Sequence, residues 1–255
     1  MTKSSRTQRL RGGRWPRLLA WLSVLVVIAS ALLMAGSGLA HRLEMTDLGT
    51  AFTWLRQGAY LAIGAAVLGL ITLIVASLCK RLKPALVGAV VVVVVAAMMI
   101  VPWQMQQRAQ EVPAIHDITT DMQDPPAFVA LASAREAAPN EVAYPGESTA
   151  QQQREAYPDI QPIILKQPLI DAMDAVEATA QDQGWEIADV GDTKLEATAT
   201  TLWFGFKDDV VIRLSEVEEG VRVDMRSASR LGASDVGTNA ERIRNYLQAL
   251  RERAE

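Results

Sequence analysis

Three long apolar segments without a charged residue are the feature that most constrains this chain. They cover residues 18–40, 57–79 and 84–107, and each is close to or above the ~20 residues that a helix needs to cross the hydrocarbon core of a bilayer. A helix at the surface of a soluble protein keeps a polar face, and these segments have none. We therefore predict three transmembrane helices within residues 18–102.

Basic residues indicate how these helices are threaded. The first 107 residues hold 11 Lys and Arg but only 2 Asp and Glu, and the basic residues concentrate in segment 1–17 and link 80–83. In the loop 41–56, two arginines are offset by two acidic residues. Because positively charged loops stay in the cytoplasm, we predict a cytoplasmic basic tail over residues 1–17. The prediction is a multi-pass protein of the bacterial inner membrane, with its C-terminal domain periplasmic or extracytoplasmic.

One alternative for the first helix stays open. The sequence GSGLA, ending at Ala40, places small residues at the −1 and −3 positions of a possible signal-peptidase site. The apolar run is long for the core of a signal peptide, so we favour a retained helix. Cleavage would leave the C-terminal part on the same side of the membrane.

Composition changes sharply after the third helix. Residues 108–255 carry 14 Lys and Arg against 27 Asp and Glu, a formal net charge of −13. The only histidine of this half, His116, and the only cysteine of the chain, Cys79, give no support for a zinc site or a Ser-His-Asp triad. We expect no metal, no cofactor and no nucleic-acid partner. The apolar segments contain no ionisable residue, which argues against a transporter or channel.

Hydrophobic periodicity predicts the fold of the C-terminal part. Residues 103–156 are polar and aperiodic, which indicates an extended linker with one short strand in IHDITTD. Residues 157–255 give the order β-α-β-β-β-β-α, with helices beginning near Pro168 and Thr238. Hairpins imply antiparallel pairing, and two amphipathic helices need a sheet face to cover. We predict an α+β fold, an antiparallel sheet with two helices packed on one face.

Alternation along the strands predicts which residues face the helices. The helix-facing set is Leu195, Ala197, Ala199, Thr201, Trp203, Val221, Val223 and Met225. The opposite face is predicted to be exposed, with Arg213, Arg222 and Asp224 among its residues. Trp203 is therefore expected in the core. Phe204 and Phe206 lie near a turn at Gly205, where they either fold back as a small cluster or touch the membrane interface or a partner.

Several motifs resemble a known family. The sequences IHDITTD, DPPAF, YPDIQPI, GWEI, EATATTLWFGFKDDVVIR and DMRSASRLGASDVGTNAERI are similar to those of the domain of unknown function numbered 1499. The resemblance runs from about residue 115 to 250 and leaves out the three apolar segments. It implies a bacterial envelope protein, and it carries over no catalytic residue.

The segment RSASRLGASDVGTN is the most suggestive candidate site. Arginines and a helix N-terminus both suit anions, so we predict an anion-binding corner there. Its residues are Arg226, Arg230, Ser229, Ser234 and Asn239. In the alternative reading, the arginines pair with nearby aspartates while the serines and Asn239 satisfy the turn.

Two classes of function remain open from the sequence. The first is a membrane-anchored binding or structural module, with the lipid bilayer and either a protein or an anionic envelope component as partners. The alternative is a hydrolase or transferase that acts on envelope components through Asp and Glu. Asp208 and Asp209 are one such pair, but neighbours on a strand point to opposite faces of a sheet.

Overall fold

The computed structural model describes residues 12–255, and the chain divides into two compact units with the boundary between Gln104 and Met105. Four basic residues of the predicted cytoplasmic tail lie outside the described residues. They are Lys3, Arg6, Arg9 and Arg11.

The first unit is built from long apolar helices, and the last of them continues into the second unit. Their bounds are α1 Trp15–Arg42, α2 Leu48–Leu78 and α3 Leu82–Glu111. All three are long and apolar enough to cross a membrane, with mean hydropathies of 2.5 to 2.8. The side chain of Asp47 caps α2 by accepting a hydrogen bond from the backbone N–H of Thr50 at 2.9 Å. The prediction of three long apolar helices is confirmed.

Small residues allow these helices to pack closely. Ser30 of α1 is fully buried, and its hydroxyl donates a hydrogen bond to the carbonyl oxygen of Gly58 in α2 at 2.8 Å. A Cβ atom added to Gly88 of α3 would lie only 2.4 Å from the carbonyl oxygen of Gly69 in α2. Close backbone approach of this kind is how helices pack in a bilayer, where apolar surface alone does not drive association.

The second unit is an antiparallel sheet with helices. Its strands are β1 Asp117–Thr119, β2 Ile163–Leu165, β3 Glu186–Val190, β4 Lys194–Thr200, β5 Lys207–Val217 and β6 Gly220–Ser229. Its helices are α4 Ala132–Glu136, α5 Glu147–Ala156, α6 Leu169–Asp182 and α7 Thr238–Ala254. The strand order is β1-β6-β5-β4-β3, and β2 also pairs with β6.

Helices α6 and α7 cover one face of this sheet, as predicted. The apolar positions of β4, β5 and β6 form one core with the inner faces of both helices. Tyr246 of α7 is fully buried there, stacked on Trp185 with 4.9 Å between ring centroids. Its hydroxyl donates a hydrogen bond to the carbonyl oxygen of Val176 in α6 at 2.8 Å. The α+β prediction is confirmed.

The opposite face of the sheet is covered, which differs from the sequence prediction. Residues 120–146, named here the strap, run across it, and the side chains of Phe128 and Leu131 pack against β5 and β6. The predicted extended linker therefore folds against the sheet. It also includes α5, where the buried Gln153 accepts a hydrogen bond from the backbone of Thr119 at 3.0 Å and donates one back at 2.7 Å. A polar composition is typical of a solvated linker, but here the polar groups are paired with partners inside the fold.

The turn between β4 and β5 corrects one core assignment. Strand β4 ends at Thr200, so the alternation that placed Trp203 in the core stops before that residue. Trp203 is 39% exposed, whereas Phe204 is buried. Phe204 meets Trp203 edge-on at 5.0 Å and stacks on Phe206 at 5.3 Å. The aromatic rings thus form a small cluster at the turn.

Gly220, the first residue of β6, gives a test of the β2–β6 packing. It has φ of +139°, and an added Cβ would lie 2.2 Å from the carbonyl oxygen of Leu165. Gly220→Ala is expected to lower the free energy of unfolding by more than the ~1–3 kcal/mol that backbone strain alone costs, because the added Cβ also clashes with Leu165. Gly191→Ala is the matched control, since its nearest neighbour is 3.7 Å away, and we expect a change within about 0.5 kcal/mol. Chemical denaturation of the full chain in detergent measures both, and equal stabilities would contradict the close approach of β2.

Candidate functional site

The sheet face under the strap carries paired charges. Alternation along β4, β5 and β6 brings basic and acidic side chains to this face, and the strap and β1 supply further partners. We call the set the ionic network. Its members are Asp117, Asp121, Asp124, Arg135, Lys194, Glu196, Asp209, Arg213, Arg222, Asp224, Arg226 and Arg230.

Arg226 of β6 joins three parts of the chain. Its Nε and Nη2 atoms donate to the two carboxylate oxygens of Asp117 in β1, at 2.9 and 2.7 Å. Its remaining hydrogen bonds reach the carbonyl oxygens of Pro126 and Val142 in the strap, at 3.2 and 2.9 Å. Both charged side chains are almost completely buried. Such a bidentate pair fixes geometry as well as charge.

Phe128 of the strap lies between two arginines. The guanidinium carbons of Arg135 and Arg226 are 4.7 and 4.8 Å from its ring centroid. Cation–π attraction is strongest where the cation has lost its water, and both arginines are buried. Tyr144 lies 5.7 Å from Arg226, and burial raises the pKa of its hydroxyl to about 12. The ring of Phe128 therefore anchors the strap between the charges.

Asp209 of β5 is the second centre of the network. Its carboxylate is fully buried and accepts hydrogen bonds from Arg135 at 3.2 Å, from Arg230 at 2.8 to 3.1 Å, and from the hydroxyl of Thr198 at 2.9 Å. The hydrogen bond with Asp209 raises the pKa of Arg230. Burial lowers the pKa of Arg135, and Asp209 opposes that shift. Two arginines thus share one carboxylate.

The predicted exposed face is the solvent-side edge of the same network. Arg222 donates two hydrogen bonds to Asp224, both at 2.9 Å, and Arg213 reaches Asp121 and Asp124 of the strap at 3.2 and 2.8 Å. Asp224 is buried, so the prediction that it is exposed is wrong. The arginines are partly covered, because the chain folds back over the sheet after β1.

Glu196, an acidic residue on the same face, binds the backbone of the strap rather than an arginine. Its carboxylate accepts hydrogen bonds from the backbone N–H groups of Val129 and Leu131, at 2.8 and 2.9 Å, just before α4. Lys194 pairs with it at 2.9 Å. Alternation along β4 puts Glu196 on this face, but the sequence analysis did not predict that the strap would bind there. The strap has no periodic apolar pattern from which its packing against the sheet could be predicted.

The N-terminus of α7 is occupied by a carboxylate of its own loop. Asp235 accepts hydrogen bonds from the backbone N–H groups of Gly237 and Asn239, at 2.8 and 2.9 Å. Burial raises the pKa of Asp235, while these two bonds act in the opposite direction. The side-chain amide of Asn239 donates to the hydroxyl of Ser229 and to the carbonyl oxygen of His116, both at 3.0 Å. Side chains of the loop itself thus satisfy the backbone N–H groups at the start of α7.

The five residues predicted to bind an anion do not form one site. Arg226 and Arg230 point to the strap side of the sheet, whereas Ser229 and Asn239 meet on the helix side. The hydroxyl of Ser234 accepts a hydrogen bond from the backbone of Val236 at 3.2 Å. Strand alternation separates these residues, and both arginines already have carboxylate partners. The alternative reading, pairing with aspartates, describes their surroundings.

Asp208 and Asp209 lie on opposite faces of β5, in keeping with alternation. Asp208 pairs with Arg242 of α7 at 2.5 Å, whereas Asp209 belongs to the ionic network. The two carboxylates therefore do not act on one substrate atom. Over residues 12–255, no group of three or more His, Cys, Asp and Glu side chains is arranged to hold a metal ion.

The fold and the apolar helices define the class of this protein: a membrane-anchored chain that carries an antiparallel α+β domain. It belongs to the family described as protein of unknown function (DUF1499), which matches residues 117–250, more than half of the chain. No curated protein matches it. The matched part begins at Asp117, the partner of Arg226, and ends within α7, so the strap and the ionic network lie inside the family domain. The resemblance inferred from the motifs is confirmed.

Proposed function

We propose that this chain is an inner-membrane protein that presents its α+β domain on the periplasmic side, as a binding or structural module of the bacterial envelope. The charge distribution around the helices is the observation that carries this proposal. The link 80–83 is strongly basic and the loop 41–56 is not. With three crossings, the positive-inside rule then favours export of everything that follows α3.

The burial of the acidic residues and their pairing with arginines favour a binding function over catalysis. A general acid or base must be able to reach a substrate proton, whereas Asp117 and Asp209 are buried against arginines. Asp208 is held by Arg242. A protein or an anionic envelope component as partner would accordingly dock on the outer surface of the domain, since the strap occupies the charged face of the sheet.

The proposal is tested by cysteine accessibility, because Cys79 is the only cysteine of the chain. In a Cys79→Ser background, single cysteines replace Met45 in the loop after α1 and Glu218 in the β5–β6 turn, two exposed positions. A membrane-impermeant maleimide is expected to label both in intact spheroplasts. Native Cys79, beside the basic link, is the matched control and should react only after permeabilisation. Protection of the Glu218→Cys variant in intact spheroplasts would overturn the periplasmic assignment.

A further inference from the structure

A cleft of about 250 Å³ lies between α7 and the segment that leads into β2. Its floor is apolar, because Ile160, Ile163 and Leu247 belong to the domain core. Its walls are polar and carry two exposed arginines of α7, Arg244 and Arg251. A concave surface with an apolar floor and a few polar groups around it is the usual form of a small-molecule site.

One wall of the cleft is the motif YPDIQPI, residues 157–163, which the ionic network does not use. The chain turns there: the backbone N–H of Ile160 donates to the carbonyl oxygen of Tyr157 at 3.1 Å, and the side-chain amide of Gln161 donates to the carbonyl oxygen of Pro158 at 3.2 Å. The two prolines of the motif fix φ at two positions. This wall is therefore preformed, which lowers the entropic cost of binding a ligand.

Arg244 is held against the same wall. Its Nε and Nη2 atoms donate to the two carboxylate oxygens of Asp159, the second at 2.8 Å, and its guanidinium carbon lies 5.3 Å from the ring centroid of Tyr157. The hydrogen bond between them raises the pKa of Arg244 and lowers the pKa of Asp159, so both groups stay charged and their charges cancel. The pair shapes the wall without adding net charge to it.

Arg251 gives the cleft a positive charge that no carboxylate neutralises. Residues 105–255 are all described, and every other arginine among them pairs with an Asp or Glu side chain. Arg251 pairs with no carboxylate of the described residues. It lies seven residues after Arg244, so two turns of α7 bring both to one side of the helix. In a unit of net negative charge, an unpaired arginine beside a cleft favours an anion locally.

We propose that this cleft binds a small amphiphilic anion, whose carboxylate or phosphate group pairs with Arg251 while a short apolar chain lies on the floor. The guanidinium group presents its N–H donors in a fork that matches either anionic group. The cleft is separate from the anion-binding corner predicted from the sequence. The inference rests on the proposed binding function and names the chemical class of its ligand.

The test is a titration of the full chain in dodecyl maltoside, followed by fluorine NMR. In the Cys79→Ser background, Gln248→Cys carries a trifluoromethyl label in the cleft, and Glu218→Cys carries the same label in the β5–β6 turn as the control. We expect butanoate, butyl phosphate or both to give a saturable shift change at position 248 and none at position 218. The tighter of the two identifies the anionic group. Butanol and butylammonium, which lack a negative charge, should give no saturable change.

A pair of arginine variants tests which residue receives the anion. Arg251→Gln is expected to weaken binding by about tenfold or more, the effect of losing a hydrogen bond to a charged group. Arg253→Gln is the matched control and should leave the affinity unchanged. It removes the same charge two positions further along α7, from an arginine that pairs with Asp182 and does not line the cleft.

Three results would overturn the proposal. The absence of a saturable change at position 248 with both anions would show that the cleft binds neither. Equal affinities of the Arg251→Gln and Arg253→Gln variants would show that Arg251 does not receive the anion. Inorganic phosphate that binds as tightly as butyl phosphate would indicate an adventitious ion only. Maleimide labelling in spheroplasts tests the compartment independently, so a failure of the titration and a failure of the periplasmic assignment are distinguishable.

Discussion

Replacing Arg226 by alanine is expected to lower the free energy of unfolding of the α+β unit by about 3–5 kcal/mol, because a buried charge would lose its partner. Asp117 would remain in the interior with both carboxylate oxygens deprived of their guanidinium donors. The strap would also lose its bonds at Pro126 and Val142. Urea denaturation of the full chain in detergent, followed by circular dichroism, measures the loss.

Two control variants identify the cause of that loss. Arg244→Ala removes an arginine whose pair with Asp159 is exposed to solvent, and we expect about 0–1 kcal/mol. Adding Asp117→Ala to Arg226→Ala should recover part of the stability, since it removes the unpaired carboxylate. Equal losses for Arg226→Ala and Arg244→Ala would contradict the burial of the first pair. A double variant less stable than both singles would show that packing, not charge, explains the effect.

Replacing Tyr246 by alanine is expected to cost about 3–5 kcal/mol of unfolding free energy, the range for truncation of a large buried aromatic residue. Its ring lies between α7 and Trp185, in the core that joins both helices to the sheet. Burial raises the pKa of its hydroxyl, so this group stays protonated. The same denaturation experiment applies.

Tyr246→Phe separates the ring from the hydroxyl group. It keeps the packing and removes only the hydrogen bond to the carbonyl oxygen of Val176, so we expect about 0.5–1.5 kcal/mol. If Tyr246→Phe is as unstable as Tyr246→Ala, the hydroxyl rather than the ring holds the helices. If neither variant loses stability, Tyr246 does not join the two helices to the sheet.

The covered sheet face is held by buried ion pairs beside a small apolar cluster around Phe128. A buried pair gains little net stability over a hydrophobic one, because both charges lose their water. Its geometry is demanding, however: the guanidinium of Arg226 fits only where Asp117, Pro126 and Val142 stand together. The ionic network therefore specifies where the strap lies on the sheet. Because the strap occupies this face, the proposed partner would dock on the outer surface of the domain.

Local patterns were sufficient for a large part of the fold. Charge-free apolar runs predicted α1, α2 and α3, because the length of such a run is itself the signal. Alternation in β4 and β6 assigned Leu195 and Val223 to the helix side, where both are buried. The motifs around Asp208 and Arg226 identified the family. In each case the information lies within a few neighbouring residues.

Tertiary structure alone decided the role of the polar residues. Arg226 and Asp117 are 109 positions apart, and Arg135 reaches Asp209 across 74, so no local spacing links them. The strap looked like a linker because its polar groups find partners only once the sheet has formed. Trp203 was misassigned for a related reason: the chain turns after Thr200, and strand alternation has no meaning past the end of a strand. The sequence determined the three apolar helices, α6, α7, the strands and the helix-facing side of the sheet, while long-range pairing of charges decided that the other side is closed.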